Sequence, residues 1–187
     1  SDHLESALQR GWQVAPQQAP RVVFEAGGNM LRRVRGYDRV IENFLPRLDL
    51  LVTVDWRMSN TARHSDYVFP AAGWYEKDDI TWGASCAPFC HATTRAVEPL
   101  GDSRTDWAFH CLFLKKLQQR ARERGITSFR DHSGNERRLD DVYDEFSFGG
   151  RYTEDNTEEF LEEILSVTNN LGDVGWQELK ERGYARY

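Results

Sequence analysis

Residues 52–77, VTVDWRMSNTARHSDYVFPAAGWYEK, carry the reading that decides the fold. Val52–Asp55 closes an apolar run that begins at Asp49. Such a run, bounded by polar residues, reads as a buried strand. A charged turn follows, then a short helical stretch from Ser59 to His64 with Ser59 placed to cap it. Tyr67–Ala72 is a further strand, and Trp74-Tyr75-Glu76-Lys77 comes after it. Working outward, Arg21–Ala26 (RVVFEA) is a β-branched run stopped by Gly27-Gly28-Asn29. Tyr37–Leu48 places Val40, Ile41, Phe44, Leu45 and Leu48 at helical spacing. The alternation strand, helix, strand, helix, strand predicts an α/β fold with a parallel sheet and right-handed crossovers.

Beyond Trp74 the pattern loosens. Glu76–Pro88 reads as irregular, and Ala92–Val97 as a strand returning toward the sheet. Ser103-Arg104-Thr105-Asp106 opens a long helix to about Arg124, with Trp107, Cys111, Leu114 and Leu117 on one face and Gly125 as its stop. Three shorter helices are predicted, over Asp140–Phe146, Thr157–Thr168 and Trp176–Arg182. Ser1–Pro20 reads as a linker or peripheral segment. The expected domain organisation is therefore a peripheral segment at 1–20, an α/β domain at 21–124, and a mostly helical extension at 125–187.

Composition narrows the function classes. The chain has 187 residues, 40% of them apolar, with a net charge of −6. That length suffices for one core with an appended lobe. The negative balance with no evident basic face argues against nucleic acid. No apolar run approaches the roughly 18–20 residues that span a bilayer. The chain starts SDHLESAL without Met or a signal-peptide pattern, as expected of an internal piece of a longer polypeptide. Cys86, Cys90 and Cys111 form no even disulfide framework.

Several residues can carry chemistry. Glycines at the carboxyl end of a strand let the backbone turn sharply and let a ligand approach it. Asn29 adds an amide that can donate and accept. Ligands of open α/β sheets bind at this edge, although a turn with no ligand fits the same residues. Asp55 ends the next strand on the same edge. Its carboxylate can accept from a guanine edge or from ribose hydroxyls, or it can cap the Ser59–His64 segment. Arg57 and Arg63 can meet phosphates or pair with Asp66 and Glu76. Lys77 suits a phosphate or a polar ring substituent.

Other constellations read as structural. Glu76, Asp78 and Asp79 lack an accompanying nucleophile. The C-x3-C pair Cys86 and Cys90, with His91, lacks a fourth ligand, so packed thiols are the better reading and no metal site is assigned. His64 and His110 lie in helical contexts.

Three segments in order, RVVFEAGGNMLRRVRG, LDLLVTVDWRMSNTARHSDYVFPAAGWYEKDD and EPLGDSRTDWAF, closely resemble the catalytic subunit of the dimethyl-sulfoxide-reductase family of molybdenum enzymes. The likeness is to the subgroup with nitrate, selenate and chlorate reductases, dimethyl-sulfide dehydrogenase, ethylbenzene dehydrogenase and steroid C25 dehydrogenase. It is strong from about Arg21 to Trp107 and looser to the end.

The resemblance implies a Rossmann-like cofactor-binding domain internal to a larger subunit. The cofactor it implies is molybdenum held by two molybdopterin guanine dinucleotides, with iron–sulfur clusters elsewhere in the enzyme. Carried over by motif, Asn29, Val54, Asp55, Lys77 and Asp106 match cofactor-contact positions. Asp55 and Asp106 would take polar hydrogens of the guanosine, Lys77 a polar acceptor, and Asn29 would orient the group.

The segments that supply the cluster ligands and the molybdenum ligand have no counterpart here, so no catalytic residue is expected in this chain. Met30-Leu31 stands where the family commonly has Pro-Leu. Expected partners are the remainder of the subunit and an iron–sulfur electron-transfer subunit, with a periplasmic or, alternatively, cytoplasmic location. The substrate is not legible, although the 52–76 stretch leans toward C–H hydroxylation over oxyanion reduction. Competing readings are a non-catalytic α/β scaffold or interaction module, and a stand-alone mononucleotide-binding protein.

Overall fold

The computed structural model of the chain describes residues 19–82, 87–131 and 133–187. Strands β1 (Val22–Ala26) and β2 (Leu50–Asp55) run parallel, with Val22 opposite Leu50 and Ala26 opposite Val54. Strand β3 (Tyr67–Pro70) completes the order β1-β2-β3. The apolar run of β2 sits in the centre with every residue from Leu51 to Asp55 buried, whereas β1 alternates exposed and half-buried residues as an edge strand does. Sequence and structure agree on this mixed α/β architecture.

The β1–β2 crossover holds two helices, α1 (Met30–Arg33) and α2 (Tyr37–Asn43), followed by a 3-10 turn over Leu45–Arg47. The single helix expected over 37–48 is cut short. Pro46 has no N–H and its ring collides with the carbonyl four residues back, so the α-helix ends before it. The segment after β2 forms only a 3-10 turn at Ala62–His64, and Ser59 Oγ accepts the Ala62 N–H at 3.3 Å.

The chain divides into two compact units, residues 1–68 and 69–187. The second has its own sheet, in which β4 (Asp79–Trp82), β5 (Phe89–Thr93) and β8 (Tyr184–Arg186) are antiparallel in the order β4-β5-β8. Two expectations are corrected here. Residues 79–82 form a strand where an irregular segment was expected, and the strand placed at 92–97 lies at 89–93. It pairs with β4 and β8 instead of joining the parallel sheet. The reason is cross-strand packing: Cys90 and Ala185 are directly paired, and both face a core of Leu161, Leu165, Leu171, Trp176 and Leu179.

Helix α3 (Asp106–Arg124) follows the expected bounds closely. Thr105 Oγ1 accepts the Ala108 N–H at 3.0 Å, and Gly125 takes φ +66° to end the helix. Its buried residues are Cys111, Gln118 and Ala121. Gln118 is buried because it is satisfied, with Oε1 accepting from the Tyr143 and Asp144 N–H groups and Nε2 donating to Asp144.

Helices α4 (Val142–Phe146), α5 (Thr157–Ser166) and α6 (Trp176–Arg182) follow. The hairpin β6 (Ser128–Arg130) and β7 (Glu136–Arg138) was not foreseen. The linker reading for 1–20 falls, up to residue 18, outside the described residues, as does Cys86. Cys90 and Cys111 are buried free thiols, and burial pushes the Cys111 thiol up to about 11, with the Glu154 charge adding to it. Among the described residues no helix is long and apolar enough to cross a membrane.

Candidate functional site

In the first unit the carboxyl ends of β1 and β2 enclose a cavity of about 400 Å3. Gly27, Gly28, Asn29, Arg32 and Arg33 line it from the β1 side, and Asp55, Trp56, Arg57 and Ser59 from the β2 side. The two glycines serve different ends. Gly27 turns the chain at φ +64°, a conformation that a side chain opposes. Its N–H donates to the Val54 carbonyl at 3.1 Å, which ties the turn to β2. Gly28 makes room: a Cβ there would lie 2.6 Å from Glu25 Oε1.

Asn29 occupies the N-cap position of α1 but does not cap it. Its Oδ1 accepts from Thr61 Oγ1 at 3.1 Å and from the Thr61 N–H at 3.4 Å. Because a main-chain N–H can only donate, this fixes which end of the amide faces Thr61, and Nδ2 is the end left for other partners. The helix N–H groups are served elsewhere: Met30 donates to Glu25 Oε1 and Leu31 to Thr61 Oγ1. Thr61 is fully buried.

Asp55 is 8% exposed, and Oδ1 accepts the Arg57 N–H at 3.3 Å. The carboxylate therefore shapes the turn after β2, and Ser59, not Asp55, caps the 62–64 turn. Val54 is buried in the core with its carbonyl taken by Gly27. The Arg57 guanidinium lies 5.1 Å from the Trp56 ring centroid, and the indole is 54% exposed. Among the described residues, Arg32, Arg33, Arg57 and Arg63 have no ion pair. Asp66 is instead engaged with the Leu51 N–H, and Glu76 with the Gly73 and Leu100 N–H groups.

In the second unit Lys77 is 7% exposed, with its ammonium 2.6 Å from Asp106 and 2.8 Å from Asp79. It also stands 5.0 Å from the Trp74 ring centroid. Burial works against the ammonium, but hydrogen bonds and charge from Asp106 and Asp79 outweigh it and raise its pKa above the ordinary lysine value. Lys77 thus spends its donors on its own chain. Asp106 keeps 43% side-chain exposure and lines a cavity of about 390 Å3 with Thr105, Trp107, His110 and Phe160. Structure therefore brings the predicted residues together as two sets, Asn29 with Val54 and Asp55, and Lys77 with Asp106.

The first cavity has a mixed polar lining. Asn29 Nδ2, Arg32 and Arg33 on the β1 side offer donors and positive charge, suited to phosphate, and Arg57 adds a further positive charge from the β2 side. Also on the β2 side, Asp55 offers an acceptor, and Trp56 an aromatic face on which a base can stack. A purine nucleotide joined to phosphates fits this arrangement.

The molybdopterin oxidoreductase family model matches residues 6–116. This chain belongs to that family. The respiratory nitrate reductase subunit alpha of Haloferax mediterranei is 35% identical over 152 residues, covering 76% of this chain and 15% of the relative. The chlorate reductase subunit alpha of Ideonella dechloratans is 34% identical over 192 residues, covering 98% of this chain and 20% of the relative. The dimethylsulfide dehydrogenase subunit alpha of Rhodovulum sulfidophilum is 30% identical over 129 residues, 68% of this chain and 14% of that one.

Among solved structures, acetylene hydratase from Pelobacter acetylenicus superposes with a TM-score of 0.58 at 20% identity, over 89% of this chain and 18% of that chain. That likeness shows a shared fold. The chain spans about a fifth or less of the length of these relatives. Glu25 and Thr61 were missed by sequence reasoning. Thr61 meets Leu31 and Asn29 across 30 and 32 residues, which no local pattern shows, whereas Glu25 reaches Met30 only five residues on, across the glycine turn itself.

Proposed function

We propose that this chain is the nucleotide-holding segment of a catalytic subunit whose molybdenum is carried by two molybdopterin guanine dinucleotides. The observation that carries the reading is the cavity at the β1 and β2 strand ends, which sets Asn29 and three arginines beside one buried carboxylate and one exposed indole. In this reading the Asn29 amide and the arginines hold the phosphates, Asp55 accepts from the guanosine, and Val54 keeps the glycine turn in place through its carbonyl. In the second unit Asp106 would accept from the cofactor with the oxygen that Lys77 leaves free, and Lys77 holds that carboxylate in position. The domain that does this is taken as residues 21–124.

When bound, the group would supply two-electron redox chemistry at molybdenum, as oxygen-atom transfer or as hydroxylation of a C–H bond by water. This segment contributes binding and orientation and no catalytic side chain. Most of the relatives are named as reductases of nitrate, chlorate or perchlorate, which favours oxyanion reduction over hydroxylation. The complete enzyme would pass electrons through iron–sulfur centres to a partner subunit and work in the periplasm.

The test is cofactor content in the complete subunit. Asp55→Ala is expected to lose most of its bound molybdenum and of the guanosine monophosphate released by acid hydrolysis, with the fold intact by circular dichroism. Full molybdenum and guanine content after purification would remove Asp55 from the site.

A further inference from the structure

Behind Asn29 lies a run of hydroxyls whose hydrogens have defined destinations. Thr53 within β2 and Thr61 in the turn that follows are both fully buried, in a unit with a small apolar core. A buried hydroxyl costs free energy unless it is hydrogen-bonded, so what each one bonds is informative. Ser65 Oγ donates to the Thr61 carbonyl at 3.1 Å. Its one hydrogen is thereby used, so in the 2.7 Å contact between Thr53 and Ser65 the threonine is the donor. Thr61 Oγ1 accepts the Leu31 N–H and gives its own hydrogen to Asn29 Oδ1, both at 3.1 Å. The Thr61 N–H donates to the same oxygen at 3.4 Å. Thr61 is thus tied back to β2 through Ser65, and it grips the Asn29 amide by the oxygen alone.

We infer that Thr61 is a positioning residue of the nucleotide cavity: by holding Asn29 Oδ1, it keeps Nδ2 as the end offered to a phosphate in the cavity that Asn29 lines. The inference rests on the nucleotide reading of that cavity and adds to it what keeps a donor, and not an acceptor, available there. The two ends of an amide are chemically opposite, and an amide turned over would present its oxygen to an anion. Valine has the shape of threonine without the hydroxyl. Thr61→Val leaves Oδ1 with only the longer main-chain bond, so the amide can turn over, whereas Thr61→Ser keeps the grip.

The experiment is nuclear magnetic resonance on the isotope-labelled full 187-residue chain, titrated with guanosine and with guanosine diphosphate. In the free chain the Asn29 side-chain amide is expected to be as immobile as the main chain around it. It should stay so in Thr61→Ser and become mobile in Thr61→Val. Thr61→Val is expected to bind the diphosphate about tenfold more weakly, the size of one ligand hydrogen bond, while its affinity for guanosine, which has no phosphate, changes less than about twofold. Thr61→Ser should stay within about threefold of the unsubstituted chain for both. In an Asn29→Ala background Thr61→Val should add almost nothing, since the effect runs through Asn29. Equal weakening of guanosine and its diphosphate, as a purely structural role would give, would overturn the role of Thr61 alone. So would an amide that stays immobile in Thr61→Val, or a loss that persists undiminished without Asn29. If Thr61→Val does not fold, Ser65→Ala, which releases Thr61 from β2, is expected to loosen the same amide; an unchanged amide there counts against Thr61 in the same way. Failure of the unsubstituted chain to bind the diphosphate would overturn the nucleotide reading, and with it the purpose assigned to Thr61.

Discussion

Lys77 shows how far a single buried charge is committed to its own surroundings. Its ammonium has two carboxylate partners, Asp79 and Asp106, which keep 34% and 43% side-chain exposure. Removing one member of a fully buried pair costs about 3–5 kcal/mol, and water at the two carboxylates reduces that. Lys77→Met should therefore lower unfolding free energy by about 1–3 kcal/mol at pH 7, read by urea denaturation. The pH dependence has a definite sign. The folded pKa is raised above 10.5, so the contribution is complete below that value and fades as pH climbs through the folded one. The gap between the unsubstituted chain and Lys77→Met should close above about pH 10.5; a gap that widens there would mean Lys77 is neutral in the fold. At this scale the sequence was partly legible. Asn29 and Asp55 could be picked out because a glycine turn and a strand's carboxyl end are local features. The Asn29–Thr61 and Lys77–Asp106 relations bridge 32 and 29 residues, and no spacing rule connects such distant side chains.

Elements were legible where one local signal dominated. Strand β2 is an unbroken apolar run, and α3 has a threonine cap and a glycine stop, so both were placed within a few residues. Strand β4 was missed although Asp79-Ile80-Thr81-Trp82 alternates polar and apolar, because a run of four residues is too short to decide a strand; its strand form comes from pairing with β5. The predicted face of α3 was right at Cys111 but could not include Gln118, whose burial depends on main-chain partners at Tyr143 and Asp144. Trp107 is the strongest element-level test. Its indole stacks on Phe146 and Phe160 with centroids at 5.0 and 3.9 Å, and Nε1 donates to the Thr153 carbonyl at 2.7 Å. It pins α3, α4, α5 and the intervening loop together. Trp107→Ala should cost about 3–5 kcal/mol and Trp107→Phe, which keeps a ring but loses the N–H, about 1–2 kcal/mol. Thermal unfolding would measure both, and equal losses would show that stacking contributes little. Thr105→Ala, which removes only the cap, should cost about 1 kcal/mol.

At the scale of the whole molecule, the chain consists of two units with unequal means of holding themselves together. The second has a core of buried Leu161, Leu165, Leu171, Trp176 and Leu179, while the first depends on β2, Leu31 and Ala62 and leaves Val22 and Phe24 at 49% and 44% exposure. Amides of β1 should therefore exchange with solvent faster than those of α6 and β5, because less apolar surface must open to release them. Ligand then becomes a probe of which residues share a site. A ligand at 100 times its dissociation constant stabilises the state that binds it by about 2.7 kcal/mol, which slows exchange through opening of that site about 100-fold. Under the proposed function, guanosine diphosphate should slow exchange from Gly27 to Arg33 and from Asp55 to Ser59. The amides of Lys77 and of Asp106 to Ala108, in the other unit, are read in the same experiment for a contact of their own. Protection confined to the first set would leave Asn29 and Asp55 as the nucleotide site and make Lys77–Asp106 an ion pair that serves only the fold of its own unit.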